Sequence, residues 1–138
     1  ITGVDLVCEQ IRVAAGSPLS LKQEDIWFYG HAIECRVNAE HPLNFRPSPG
    51  RIAYYHPPGG VGVRVDSALR DGWQVPVEYD SMLAKVVTWG PDRAQATRRM
   101  IDALEGFPIV GFPTNVAFLL DLLRSDRFAR AEFLAGLF

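Results

Sequence analysis

The sequence of 138 residues has no long apolar run and no cluster of basic residues. Its longest apolar run, near Phe118 to Leu120, is far too short to cross a bilayer. The formal net charge is −2 and the basic residues are dispersed, so the charge pattern does not favour nucleic-acid binding. Internal repeats and low-complexity segments are also missing, which excludes a repeat architecture. The sequence therefore predicts neither a membrane nor a nucleic-acid partner.

Cysteine and metal-ligand patterns are equally sparse. The two cysteines, Cys8 and Cys35, fall on a predicted helix and a predicted strand among apolar neighbours. We expect two buried free thiols in a reducing compartment, and hence a cytoplasmic protein, because a single disulfide has little support. His31, His41 and His56 have no spacing that indicates a shared metal site.

Length and composition indicate one globular domain, residues 1–138. Hydrophobic residues make up 48% and charged residues 22%, as in an ordinary soluble domain. The chain begins at Ile1 without a methionine or a signal peptide and enters a helix signal at once. These features predict a fragment of a longer protein.

Periodicity predicts one helix, then strands, then further helices. A capping-box pattern, Thr2-x-x-Asp5, opens the first helix, and Gly16 followed by Pro18 ends it. The predicted strands are residues 26–39, 51–56, 62–66 and 75–89, with a short one at 107–110. Pro91 suits the first position of a helix, Thr114 or Asn115 caps the next, and Ser125 or Asp126 starts the last. The pattern predicts an α+β domain with an antiparallel sheet.

The most informative segment is GHAIECRVNAE, residues 30–40. As a strand it places Glu34, Arg36 and Asn38 on one face, and Ile33, Cys35 and Val37 on the other. The second set suits a core. The first set either faces water or lines a polar cavity in which charge is handled.

Arg36 is the main candidate for chemistry, because a buried guanidinium needs a partner or an anionic ligand for its five donors. Glu34 and Asn38 lie on the same face and are expected to orient it. The alternative is a surface pair of Arg36 with Glu34 that contributes little stability.

Two further segments carry charged residues whose role stays open. The glycine-rich segment 59–62 precedes Arg64 but lacks the spacing of a phosphate-binding loop. A hairpin-type connection that presents Arg64 to a neighbour is the better interpretation. Asp80 either accepts a hydrogen bond from an arginine across the sheet or closes a turn through Ser81, and the turn is favoured.

Several motifs resemble one known family, in order and in spacing. They are ITGVDLV, AAGSPL, GHAIECRVNAE, PSPGRI, PPGGVGVRVDS and YDSMLAKVVTWGPDR. Together they are similar to the C-terminal domain of biotin carboxylase, the ATP-dependent component of biotin-dependent acyl-CoA carboxylases. The resemblance covers nearly the whole chain and fades after Phe128. That divergence leaves open a contact with the adenine edge near Ala135.

The resemblance implies the C-terminal domain of an ATP-grasp carboxylase, which uses biotin, ATP and Mg²⁺ to carboxylate biotin. It implies that Arg36 faces the biotin ureido oxygen and stabilises the enolate, with Glu34, Asn38 and Asp80 as supports. It further implies that Val61 and Arg64 lie at a homodimer contact. The implied partners are the protein's own ATP-grasp domain, a biotin carboxyl carrier protein and a carboxyltransferase.

The resemblance implies that this fragment alone has no turnover and binds none of these cofactors tightly. PSPGRI and PPGGVGVRVDS favour the acetyl-CoA or propionyl-CoA type, and hence a role in fatty acid biosynthesis. Two alternatives remain: a non-catalytic dimerisation module, or a related ATP-grasp carboxylase acting on urea or a purine intermediate.

Overall fold

The structure, a computed structural model, describes residues 1–132. Its helices are α1 (Leu6–Ala14), α2 (Arg93–Glu105), α3 (Val116–Leu123) and α4 (Asp126–Ala129), with a 3₁₀ turn at Gln23–Asp25. Its strands are β1 (His31–Asn38), β2 (Tyr54–Tyr55), β3 (Val63–Ser67), β4 (Met82–Gly90) and β5 (Ile109–Val110). This order confirms the predicted α+β class, with strands between a leading helix and C-terminal helices.

The main sheet has the order β1-β4-β3, and both pairings are antiparallel. The central strand, β4, is rich in β-branched residues, which suit a pleated surface with a neighbour on each side. Strands β2 and β5 form a separate two-stranded sheet. Within the described residues, no helix is long and apolar enough to cross a membrane.

Helix α2 covers one face of the main sheet and makes the core with it. Val37, Val86 and Met100 are fully buried there. The helix lies close to β4 because Gly90 has no side chain; a Cβ at that position would lie 2.6 Å from the backbone nitrogen of Ala96. Alternation along β1 and β4 therefore buries one face of the sheet and leaves the other open.

The start of α2 lies two residues after the first helical position that the sequence predicted, Pro91. Asp92 is the N-cap, and its carboxylate accepts a hydrogen bond from the backbone N–H of Gln95 at 2.7 Å. That hydrogen bond lowers the pKa of Asp92 below its ordinary value. Pro91 therefore lies just outside the helix, and Arg93 is its first residue.

Several predicted strands are too long. Strand β1 begins at His31 because Gly30 has a positive φ of 70°, which breaks the extended backbone. Strand β4 begins only at Met82, since the segment before it contains Pro76, which lacks a backbone N–H, and a turn at Asp80. Of the predicted strand 51–56, only Tyr54–Tyr55 forms a strand. Of the predicted strand 107–110, only Ile109–Val110 does.

The N-terminal helix confirms the predicted element but not its cap or its burial. The N-cap is Asp5, which accepts a hydrogen bond from the backbone N–H of Cys8 at 3.0 Å, so Thr2 does not cap the helix. The prediction that Cys8 is buried is wrong: it is exposed, as are Leu6 and Ile11. The reason is that the apolar side chains of α1 do not pack into the hydrophobic core of residues 1–132.

The two thiols should consequently differ in reactivity. Burial raises the pKa of Cys35 to about 12, and the Asp5 carboxylate raises the pKa of Cys8 above its ordinary value. Both thiols are mainly protonated at about pH 8, so the rate at which each reacts with a thiol reagent depends on its exposure. We expect Ellman's reagent to label one thiol quickly in the native chain and the second only in denaturant. Cys8→Ser should remove the fast phase; a fast phase that persists in this variant would contradict the assignment.

Candidate functional site

The open face of the main sheet carries the charged residues that the sequence pointed to. Arg36 on β1 lies opposite Lys85 on β4, and Lys85 lies opposite Asp66 on β3. The neighbouring row contains Glu34, Val87 and Arg64. Because residues directly opposite each other project to the same face, these side chains form one polar surface. We call it the open sheet face.

Charge on the open sheet face is arranged in local pairs. Glu34 Oε1 lies 3.5 Å from Arg36 Nε, and Asp66 Oδ1 lies 2.8 Å from Arg64 Nε. The Asp66 carboxylate raises the pKa of Arg64 above its ordinary value. Among the described residues, Lys85 has no carboxylate within 4.0 Å. Three cations therefore face two carboxylates, which leaves a local excess of positive charge.

The Arg36 side chain is 67% exposed. The expectation that burial forces it to find a partner is wrong for this chain alone, because water reaches the guanidinium. Within residues 1–132 its only ion pair is the one with Glu34, and its terminal nitrogens donate no hydrogen bond, so they are available to a ligand. The opposite face of the same strand is fixed by burial of Cys35 and Val37, which hold Arg36 on the open side.

Two residues that were predicted to support Arg36 form their hydrogen bonds with other groups. The Asn38 side chain donates from Nδ2 to Glu40 Oε1 at 3.1 Å. Asp80 Oδ1 accepts from the backbone N–H of Met82 at 2.8 Å, which is the turn that the sequence favoured. Of the three predicted supports, the structure therefore brings only Glu34 to Arg36, and a positioning role for the other two stays a prediction.

A small hydrogen-bond network lies where β1 ends. Glu40 Oε1 accepts from Asn38 Nδ2 and from Ser81 Oγ, the latter at 2.5 Å. The sequence does not predict that Glu40 and Ser81 are partners, since they are 41 residues apart and meet only because β1 and β4 are antiparallel. This network ties the end of β1 to the start of β4.

Asn115 is a second residue whose contacts differ from those that the sequence predicted. It was predicted as a helix cap and does occupy the N-cap position of α3, but its side chain makes no capping hydrogen bond. Its amide instead contacts the backbone of β1 at Arg36 and Asn38. The pattern of the sequence contains no signal for this contact, which spans nearly 80 residues.

Val61 and Arg64 lie on an exposed loop and the strand that follows it. Val61 is 89% exposed, and its two glycine neighbours have positive φ values of 125° and 76°. The prediction of a hairpin is wrong, because the loop joins β2 and β3, which belong to different sheets. Gly62 has no room for a side chain: a Cβ would lie 2.7 Å from the carbonyl oxygen of Trp89. The loop is thus held at its base and projects at Val61.

A family model decides what this arrangement belongs to. Residues 34–137 match the biotin carboxylase C-terminal domain, a match that includes Arg36, Arg64 and Asp80. The chain belongs to the biotin carboxylase C-terminal domain family. The match extends to residue 137, well past Phe128, where the sequence resemblance was expected to fade. The segment around Ala135 lies outside the described residues.

Similar proteins agree with this assignment. Biotin carboxylase 1 of Bacillus subtilis is 56% identical over 134 residues, which cover 96% of this chain and 30% of that protein. The biotin carboxylase of Pseudomonas aeruginosa is 49% identical over 130 residues, which cover 94% of this chain and 29% of that protein. The chain thus spans less than a third of the relatives it matches.

Solved structures share the fold. The biotin carboxylase domain dimer of Hydrogenobacter thermophilus 2-oxoglutarate carboxylase, in complex with MgADP, ADP and bicarbonate, matches with a TM-score of 0.89 at 45% identity. That match covers 96% of this chain and 30% of the other. The biotin carboxylase subunit of pyruvate carboxylase gives the same TM-score at 46% identity, again over 96% and 30%. The predicted fold family is confirmed.

The pair of Glu34 with Arg36 should contribute little to stability, because both side chains are largely exposed. We expect Glu34→Gln to change the free energy of unfolding by less than about 1 kcal/mol. Urea denaturation measures it, with Glu24→Gln, another exposed acid, as the matched control. A loss several times larger would mean that Glu34 holds more of the strand than the geometry indicates.

Proposed function

We propose that this chain is part of a biotin carboxylase, an enzyme that uses ATP and bicarbonate to carboxylate biotin. The observation that carries the proposal is the position of Arg36: a family motif residue on the open sheet face, with terminal donors that make no hydrogen bond within residues 1–132. A planar, permanently charged guanidinium suits a carbonyl-type oxygen that gains negative charge. A non-catalytic dimerisation module would not require this residue.

Biotin fits the residues present on this face. When bound, it supplies the ureido nitrogen that is carboxylated, while ATP activates bicarbonate. Arg36 would hold the ureido oxygen and stabilise the charge that accumulates there as the N–H proton leaves. Glu34 lies beside its Nε and would keep the guanidinium plane in orientation. Lys85, opposite Arg36, adds positive charge to the same surface.

ATP and Mg²⁺ are assigned to another part of the enzyme. Among the described residues, no group of three or more His, Cys, Asp or Glu side chains is arranged to hold a metal ion. We propose that the protein's own ATP-grasp domain provides those ligands and closes over Arg36 on the open sheet face. The other proposed partners are a biotin carboxyl carrier protein and a carboxyltransferase, and the proposed location is the cytoplasm.

The identity of the compound that finally accepts the carboxyl group is a more specific proposal. The motifs that precede and include the Val61 loop favour an acyl-CoA carboxylase, and with it fatty acid biosynthesis. Relatives of 51% and 45% identity belong, by name, to a pyruvate carboxylase and to a 2-oxoglutarate carboxylase. The acceptor therefore has to be tested with the cognate carboxyltransferase, by supplying acetyl-CoA, propionyl-CoA, pyruvate and 2-oxoglutarate in turn.

Arg36→Lys tests the central role in the full-length protein that contains this chain. Lysine keeps the charge but loses the planar pair of donors, so biotin carboxylation should fall by roughly 10²- to 10³-fold. The KM for ATP should stay within about twofold, because the residue does not touch the nucleotide in this proposal. Turnover of free biotin is measured by coupled ADP release.

Arg98→Lys is the matched control, since Arg98 is an exposed arginine on α2. It should leave both values unchanged. Turnover of the Arg36→Lys protein that equals the wild type would exclude the proposed role of Arg36.

We also propose that the loop at Val61 and Arg64 on β3 contribute to a homodimer contact. Exposure of Val61 and the charge of Arg64 at the protein surface support this. Arg64→Glu should weaken self-association about tenfold or more in analytical ultracentrifugation, because it reverses a charge at the contact.

Arg46→Glu is the control for that experiment. Arg46 follows the Asn38 end of β1, whereas Val63 pairs near the opposite end of β4, so the two sites lie at different ends of the sheet. An equal change in both variants, or no change in either, would refute the interface.

A further inference from the structure

Strand β1 is an edge of the main sheet, and its outer side is not paired with another strand among the described residues. Backbone groups on such an edge need other hydrogen-bond partners. At the position of Arg36 these partners come from one residue. Asn115 Oδ1 accepts from the N–H of Asn38 at 2.9 Å, and Asn115 Nδ2 donates to the carbonyl of Arg36 at 3.0 Å. The backbone N–H of Asn115 also donates to the carbonyl of Asn38 at 3.2 Å.

The side-chain amide of Asn115 therefore acts like a peptide group of a missing neighbour strand. It presents an acceptor and a donor to β1, one on each side of Val37. The orientation of the amide is fixed, because the reverse orientation would set its NH₂ against the N–H of Asn38. Asn115 is itself 7% exposed, so water does not compete easily for these hydrogen bonds.

The location of this contact matters because the pairing of β1 with β4 becomes irregular there. Arg36 pairs with Lys85 and Val37 with Ala84, but Asn38 pairs with Met82, a slip of one residue. A bulge of this kind changes the local twist and re-aims nearby side chains. The direction of the Arg36 side chain then depends on what holds the backbone between Arg36 and Asn38.

We propose that Asn115 is a positioning residue that fixes the backbone of Arg36 and thereby aims its guanidinium at the reacting oxygen. This inference rests on the proposed role of Arg36 in biotin carboxylation. Asn115 itself does not touch substrate; it acts through the carbonyl of Arg36 and the N–H of Asn38. The amide that could have capped α3 is used for this purpose instead.

Asn115→Asp is the sharpest test, because it keeps the shape and the acceptor but replaces the NH₂ donor by an oxygen that repels the Arg36 carbonyl. In the full-length protein we expect kcat for biotin carboxylation to fall roughly tenfold or more, within the range that a small misplacement of a catalytic group produces. The KM for ATP should stay within about twofold. Asn44→Asp is the control, since Asn44 Oδ1 accepts a hydrogen bond from the backbone N–H of Arg46 at 3.1 Å and aspartate keeps that acceptor.

A double-mutant cycle with Arg36→Lys separates positioning from a general loss of stability. If Asn115 acts through Arg36, Asn115→Asp should lower the residual turnover of the Arg36→Lys protein by no more than about twofold. An equal loss in both backgrounds would mean that the residue acts independently of Arg36, and would overturn the inference. If the Asn115→Asp protein does not fold, Asn115→Ser, which is neutral and smaller, replaces it in the same double-mutant cycle.

The outcomes distinguish the two proposals. Wild-type turnover of Arg36→Lys would remove the proposed function of Arg36 and, with it, the basis of this inference. A strong loss in Arg36→Lys together with normal turnover in the Asn115 variant would leave the proposed function intact and overturn the positioning role alone.

Discussion

The antiparallel pairing of β4 with strands on both sides is the constraint on which the rest depends. It sets β1 and β3 in register across β4, so that Arg36, Lys85 and Asp66 form one row. Burial of Val37 and Val86 beneath α2 fixes which face each residue takes. Local ion pairs on the exposed side are too weak to do this, because water screens them. The open sheet face is therefore positioned by the apolar packing behind it.

The sequence was sufficient to predict the parts of the fold that depend on local periodicity. Alternation in residues 30–40 predicted the two faces of β1, and the structure exposes Glu34 and Arg36 while it buries Cys35 and Val37. The helix that follows β4 and the start of the last helix at Ser125 or Asp126 were also evident from local patterns. Each of these signals lies within a few residues of the feature that it predicts, which is why one sequence is enough.

The contacts that depend on distant segments were not predictable in the same way. Asn115 follows a proline and a threonine and has the pattern of a helix cap, yet its amide contacts β1 nearly 80 residues earlier. Cys8 has apolar neighbours in sequence, but the helix turns Glu9 inward, where it accepts a hydrogen bond from the backbone of Ser20 at 3.3 Å. Periodicity gives the face of a helix; it does not give the identity of what covers it.

Strand β1 places a thiol and a guanidinium back to back, at Cys35 and Arg36. A deletion or insertion of one residue within this strand would exchange the two faces, so that the guanidinium would enter the core and the thiol would leave it. A change of two residues would keep the faces but move the guanidinium about 7 Å along the sheet. In this family, length variation among functional enzymes should consequently accumulate in the loops beside β1 and avoid the strand itself.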